Sequence, residues 1–215
     1  MLQLSSVCPM TEENLLDLLP LLESDQAFAM AFSTTSVLSW WASLQLGRAN
    51  GSAEAWIFTM HPIQRENSFQ KAGETSARNE SEQTIGFAYV SLIDEQWFND
   101  GQRRMEAGTY LLPSFRNKGW NLPVKSELIH NLIHVFSIEE VLFLIPTENM
   151  QAILAWRKLP PHRFYSDTGK IPSHYRKFFR RRQFESDELL SMAVVSRDEW
   201  SRYWPHVTHI KNGET

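Results

Sequence analysis

One cysteine, Cys8, stands in 215 residues. That excludes an intramolecular disulfide and a cysteine-based zinc site, and a thiol nucleophile is the weaker reading of a lone residue just before Pro9. No run approaches the ~18 uncharged apolar residues that a membrane helix needs. The first twenty residues lack a basic start, and Glu12, Glu13 and Asp17 break their apolar run, so no targeting segment is legible. The expectation is a soluble, cytoplasmic protein without a membrane partner. Positive charge is not in excess either: the net charge of −4 argues against nucleic acid as the main partner. Missing too are the Walker pattern Gly-x-x-x-x-Gly-Lys-Ser/Thr and a dinucleotide glycine fingerprint, which removes two familiar phosphate cradles.

What is present is ordinary globular material, 42% hydrophobic and 21% charged, enough for one domain to build a core without staples. Aromatic residues are plentiful, with eight tryptophans. Trp40, Trp41, Trp56 and Trp97 either pack the core or line an acceptor pocket, with packing the simpler reading.

Hydrophobic periodicity orders the chain. Leu2 and Leu4 suggest a short first strand. Thr11 caps a helix whose Leu15, Leu18, Leu19 and Leu22 recur at helical spacing, with Pro20 kinking or ending it. A second helix runs over 33–46 and a turn over 47–52. Strands follow at 55–60, 84–93 and 105–112, the first two separated by a polar segment, 63–83, read as a mobile loop. Asn121 caps a helix reaching about Phe136. Val141 to Ile145 is continuously apolar, as in a strand covered on both faces, and a helix spans 149–159. Residues 178–184 and 189–195 read as an antiparallel pair. The strand–helix–strand run over 105–145 implies a parallel pair with a right-handed crossover.

The chemistry concentrates after the third of those strands, in Leu111-Leu112-Pro113-Ser114-Phe115-Arg116-Asn117-Lys118-Gly119-Trp120-Asn121. An apolar strand ends at a proline, a basic turn with one glycine follows, and a helix begins. Unbonded N–H groups and the helix dipole favour an anion there, glycine permits close backbone approach, and Arg116 and Lys118 add charge. A solvated basic turn is the plain alternative.

This segment resembles motif A of the GNAT acetyltransferases, Arg/Gln-x-x-Gly-x-Gly/Ala, through Arg116 and Gly119, with Asn121 at the last position. The stretch 108–119, with Asn121 and Lys125 beyond it, is similar to the ribosomal-protein-acetyltransferase-like branch. Asn149-Met150-Gln151-Ala152 through Arg157-Lys158-Leu159 resembles motif B, with Pro160-Pro161 where the family closes in Gly-Phe. Val194-Val195-Ser196-Arg197-Asp198-Glu199-Trp200 is similar to the branch's final strand and its ending. The matches span about 84–200 of a single domain covering 1–215.

The resemblance implies an α/β fold: a mixed, mostly antiparallel, splayed sheet of about seven strands with flanking helices. It implies acetyl-CoA as co-substrate, no metal, and acetyl transfer to a primary amine of a small molecule or protein N-terminus; a homodimer is possible within it. Leu111 and Leu112 would pair with the pantetheine arm. The amides of Arg116, Asn117, Lys118, Gly119, Trp120 and Asn121 would hold the pyrophosphate. Asn149 would contact the pantetheine, and the helix carrying Trp156 would pack along the CoA tail. The strands at 105–112 and 141–145 would part to admit the acyl group.

Two groups usual in the family are replaced. Trp156 stands where many members place a tyrosine that protonates the leaving thiolate, and indole carries no such acid. Leu144 stands where one subset places a glutamate base. The candidates that remain are Glu106 and Tyr110, which period-two spacing puts on one face of a strand, with Asp94 and Glu95 behind them. A catalytically silent domain binding CoA or a protein partner is the alternative reading. His130 and His134, four apart on a helix, lack a third metal ligand in the sequence. The cluster Arg176, Lys177, Arg180, Arg181 and Arg182, interleaved with aromatics, reads as a solvated strand face rather than a nucleic-acid surface.

Overall fold

The computed structural model describes residues 4–28, 36–60, 82–159, 162–166, 168–186 and 189–203. The expectations for 1–3, for 33–35 and for most of the 63–83 loop lie outside them. The chain begins with β1 (Ser6–Pro9), α1 (Glu12–Ser24), α2 (Val37–Ala49), β2 (Ala53–Met60), β3 (Gln83–Ile93) and β4 (Arg104–Leu111). It continues through α3 (Asn121–His130), β5 (Glu140–Pro146), α4 (Met150–Trp156), β6 (Arg163–Tyr165), α5 (Ser173–Ser186) and β7 (Leu190–Ser196), with a final helical segment over 197–203.

Thr11 caps α1 as its spacing requires: its hydroxyl accepts from the Asn14 amide while the Asn14 side chain returns to the Thr11 amide. Leu15, Leu18 and Leu22 make the buried stripe. Pro20 does not end the helix, which runs on to Ser24.

Seven strands form one sheet in the order β1-β2-β3-β4-β5-β7-β6. Every neighbouring pair is antiparallel except β4 and β5, which are parallel and joined through α3. That parallel ladder is short. It registers Arg104 with Glu140, Met105 with Val141 and Glu106 with Leu142, and then the strands part. β4 continues along β3 to Leu111, and β5 continues along β7 to Pro146. A wedge therefore opens in the middle of the sheet, beside the C-terminal halves of β4 and β5.

A buried ionic group fastens the closed end of the wedge. The Arg104 Nε donates to Glu140 Oε2 at 2.7 Å, and its two terminal nitrogens grip Asp100 at 2.7 and 2.8 Å. Tyr175 of α5 and Arg163 of β6 complete the Glu140 carboxylate at 2.7 and 3.0 Å. Each charge is paired and hydrogen-bonded, which is what a buried ion requires.

The strand expected at 178–184 is instead part of α5. Tyr175, Phe178 and Phe179 are buried, and with Arg182 they mark positions i, i+3, i+4 and i+7, a helical face. The seven-strand count holds because β6, three residues long, replaces it. The basic cluster accordingly lies on a helix, with Arg182 turned inward and Arg176, Lys177, Arg180 and Arg181 exposed. Of the four tryptophans, Trp40 and Trp41 lie side by side on α2, with ring centroids 6.3 Å apart, while Trp56 and Trp97 lie elsewhere. Trp40 packs on Phe87 from α2, Trp56 on Phe136, and Trp97 lies under Lys177.

Candidate active site

The turn between β4 and α3 is built to leave amides open. The 3₁₀ turn Pro113–Phe115 brings the chain off the sheet. Asn117 and Gly119 then take positive φ, 58° and 84°, and Trp120 is right-handed at φ −69° and ψ −19°. A positive-φ residue followed by a right-handed one turns successive N–H groups toward one concavity. Among the described residues, the amides of Asn117, Lys118, Gly119 and Trp120 donate no backbone hydrogen bond. Asn121 is not the cap. Trp120 occupies that position without a side-chain bond, and no acidic residue stands in the first turn of α3. The helix start keeps both its unbonded donors and its positive end of the dipole.

Arg116 does not extend into this concavity. Its guanidinium folds back, Nε donating to the Leu111 carbonyl at 3.0 Å and the terminal nitrogens engaging the Asp25 carboxylate just past α1. The Tyr110 hydroxyl donates to the same carboxylate. Burial alone would raise Asp25, but the bonds from Arg116 and Tyr110 outweigh it and hold the carboxyl below its usual value. Burial first and Asp25 second push the Tyr110 phenol well above its own. Lys118 is exposed and is the side-chain charge left at the turn.

Glu106 and Tyr110 do share a face of β4. Four residues apart, their Cα atoms are separated by roughly 13 Å of strand. Their partners differ: Glu106 Oε1 accepts from Arg182 of α5 at 2.8 Å, while Tyr110 is held among Phe28, Phe87 and Asp25. Across the wedge, Asn149 caps α4, its Oδ1 accepting from the Ala152 amide at 3.0 Å. Trp156, one per cent exposed, packs on Phe143 of β5 at 4.4 Å between ring centroids.

Three further residues at this place are not among the site residues read from the sequence, although Lys125 stands beside the motif A resemblance and Arg182 within the basic cluster. Asp25 falls in the connection after α1, and Arg182 sits in a helix read as a strand. Lys125, on α3, is buried with no carboxylate beside it among the described residues, its Nζ 4.3 Å above the Trp156 ring. Desolvation pulls its ammonium down to about 7. His130 and His134 stack at 4.6 Å, and no group of three metal-ligating side chains gathers among the described residues.

The end of β4 is set by close packing against β3. Ile85 is an extra residue between the Thr84–Thr59 and Gly86–Phe58 pairs, and its carbonyl accepts from Leu112 at 3.0 Å. At Gly86 a Cβ would overlap the Tyr110 carbonyl oxygen and press on the Leu111 Cα. Glycine is required there to let the backbone of β4 approach.

No family model matches the sequence, and no curated protein does. Solved structures do. The chain is similar to spermidine N-acetyltransferase from Vibrio cholerae in complex with CoA and spermine (TM-score 0.59, 10% identity, 92% of this chain and 98% of that one). It is similar to apo FdhC, a nucleotide-linked sugar GNAT (TM-score 0.60, 12% identity, 96% of each chain). A structure of the Vibrio cholerae enzyme SpeG with manganese ions superposes with a TM-score of 0.54, at 10% identity over 93% of this chain and 96% of that one. The likeness runs over nearly the full length and establishes the GNAT fold.

Proposed function

We propose that this GNAT-fold protein transfers an acetyl group from acetyl-CoA to a primary amine. The observation that carries the reading is the pairing of two features at one place: a wedge between parallel strands and an uncapped, amide-lined turn at its mouth. A phosphate-bearing cofactor with a narrow, amide-containing arm fits that pair of features. In this reading the amides of residues 117–121 and Lys118 bind the pyrophosphate. The backbone edge of Leu111 and Leu112 pairs with the pantetheine amides as a strand would. Asn149, its Oδ1 committed to the α4 cap, offers its side-chain N–H₂ to a ligand carbonyl. Trp156 and Phe143 form an apolar wall behind the arm.

The chemical step needs a neutral amine held against the thioester carbonyl. An ammonium of pKa ~10.4 costs about 4–5 kcal/mol to deprotonate at pH 7, so a base lowers the barrier. Glu106 takes that role in this proposal, releasing Arg182 to its other partner Glu185 (3.1 Å) as it accepts the proton. Tyr110, its O–H committed as a donor to Asp25, holds the Arg116–Asp25 pair and with it the end of β4. The solved neighbours named for spermidine and for a nucleotide-linked sugar make polyamines and amino sugars the first acceptors to try, with protein N-termini beside them.

The test is calorimetric titration with acetyl-CoA, followed by release of free thiol over a panel of polyamines, nucleotide-linked amino sugars and peptide N-termini. Saturable binding with amine-dependent thiol release is the expected result. No binding at millimolar acetyl-CoA overturns the proposal. Binding without thiol release across the panel favours a silent CoA-binding domain, the reading to which Trp156 and Leu144 lend weight.

A further inference from the structure

We propose that Lys125 is the group that protonates the departing CoA thiolate, a role that rests on the acyltransferase reading above. The argument starts from position. α3 follows β4 and α4 follows β5, the two strands that part. Lys125 rises from the second turn of α3, and its Nζ ends over the ring of Trp156 on α4. The side chain thus bridges the two helices across the wedge, on the face that Phe143 and Trp156 wall. A thioester entering between β4 and β5 from the turn at 116–121 passes toward this nitrogen.

The second observation is isolation. Lys125 is three per cent exposed, and among the described residues no carboxylate and no hydrogen-bond acceptor meets its ammonium. A buried charge without a partner is among the least favourable arrangements in a fold. A methionine of similar length would fill the space without that penalty, so packing does not account for a lysine. An indole face attracts a cation but takes no proton. The nitrogen is left as a donor or acceptor for whatever occupies the wedge.

The chemistry closes. The neutral acceptor nitrogen attacks the thioester carbonyl carbon, the C–N bond forms, and the C–S bond breaks with its electron pair leaving on sulfur. The Lys125 ammonium gives its proton to that sulfur, so CoA departs as the thiol and Lys125 becomes neutral. The proton shed by the new amide nitrogen passes to the base, and Lys125 regains one from solvent; the sum is amine plus thioester to amide plus thiol. An ordinary lysine would be a poor donor, since its pKa lies above the ~8.5 of a thiol. Burial brings the Lys125 ammonium to about 7, below the thiol, so the transfer runs downhill. Among the described residues, a histidine also faces this place. His162, before β6, meets Trp156 edge-on at 5.4 Å between ring centroids, is held below its usual value chiefly by burial, and feels both Lys125 and Glu199.

The experiment compares wild type, Lys125→Met, Lys125→Arg and His162→Gln, with an acceptor amine of low basicity so that its own ionisation stays below the range. Three quantities are read: the acetyl-CoA Kd, kcat against pH, and the Nζ titration of Lys125 by NMR. Lys125→Met is expected to keep Kd within about threefold, lose about 100-fold in kcat, and lose the alkaline limb that wild type shows above pH 7. Lys125→Arg, which cannot release a proton, is expected to be equally slow, and it serves if the methionine variant does not fold. His162→Gln is expected to retain the limb. Wild-type kcat in either Lys125 variant, a limb that follows His162 instead, or an Nζ midpoint above 9 each overturns the proposal. Wild type that binds acetyl-CoA yet releases no thiol with any amine sinks the acyltransferase reading itself; an active wild type with an active Lys125→Met sinks the lysine's role alone.

Discussion

The guanidinium of Arg116 lies on the carboxylate of Asp25, and not in the amide concavity that its own turn forms. Arg116 therefore ties the connection after α1 to the end of β4. With side chains 27% and 13% exposed, the pair is partly buried. Arg116→Ala should lower stability by about 1–3 kcal/mol, because it leaves the Asp25 carboxylate with Tyr110 and the Ala27 amide alone. The acetyl-CoA Kd should rise less than it does on losing the turn itself. Urea denaturation with calorimetry checks both; a stable variant with its CoA affinity lost would return Arg116 to the phosphate.

Gly119→Asp is the sharper lesion. It places a carboxylate among the open amides and an L side chain at φ 84°. A folded protein whose acetyl-CoA affinity falls at least 100-fold is expected. Unchanged affinity would remove the turn from the binding site.

Gly86→Ala should destabilise the protein by about 1–3 kcal/mol, a backbone overlap that no rotamer relieves. Since the overlap falls on Tyr110 and Leu111, surviving protein should also bind acetyl-CoA more weakly. Melting temperature and Kd measured together separate this from a remote packing defect, which would lower the first and leave the second.

Lys125 gives a stability signature of its own. Its folded value, about 7, lies below the unfolded 10.5, so between those values the unfolded chain binds more protons and stability rises with pH. Below pH 7 both states are charged and the full penalty applies. Lys125→Met should therefore raise the melting temperature at pH 6 and lose most of that advantage by pH 10. The gain at pH 6 has an upper bound of roughly 4–5 kcal/mol at 1.36 kcal/mol per unit. An equal gain at both pH values would mean that the lysine is not desolvated.

Glu106→Gln should slow turnover and remove the acidic limb of the pH–rate profile, since an amide accepts no proton. The Arg182 contact survives through the glutamine oxygen, so stability should change little. Full turnover with an unaltered limb would pass the role to another group, Asp94 and Glu95 being the next on the sequence.

Much of this was open to reading in the sequence. Leu15, Leu18 and Leu22 declared α1, the apolar run 141–145 declared a doubly covered strand, and the proline–basic–glycine turn declared the passage from β4 to α3. The α5 segment misled because Phe178, Phe179 and Phe184 carry β-propensity, while the cue that wins, the i, i+3, i+4, i+7 spacing from Tyr175 to Arg182, is interrupted by exposed arginines. Three residues of β6 carry too little pattern to announce a strand. The partners of Arg116 and Glu106 were beyond reach for a different reason. Asp25 is 91 residues from Arg116 and Arg182 is 76 from Glu106, and separations of that size are decided by the fold, not by local spacing.

The early parting of β4 from β5 has one more consequence. A sheet ordinarily has two borders, but this one has four, because residues 107–111 and 143–146 turn unpaired backbone toward each other inside the molecule. Exposed strand borders recruit other chains into aggregates. These two are sheltered, flanked by α3 and α4 on one face. In the proposed function the amide-bearing arm of acetyl-CoA takes up the backbone groups of this seam, so that what would be a hazard at the rim of the sheet serves, in its middle, as a place for a ligand.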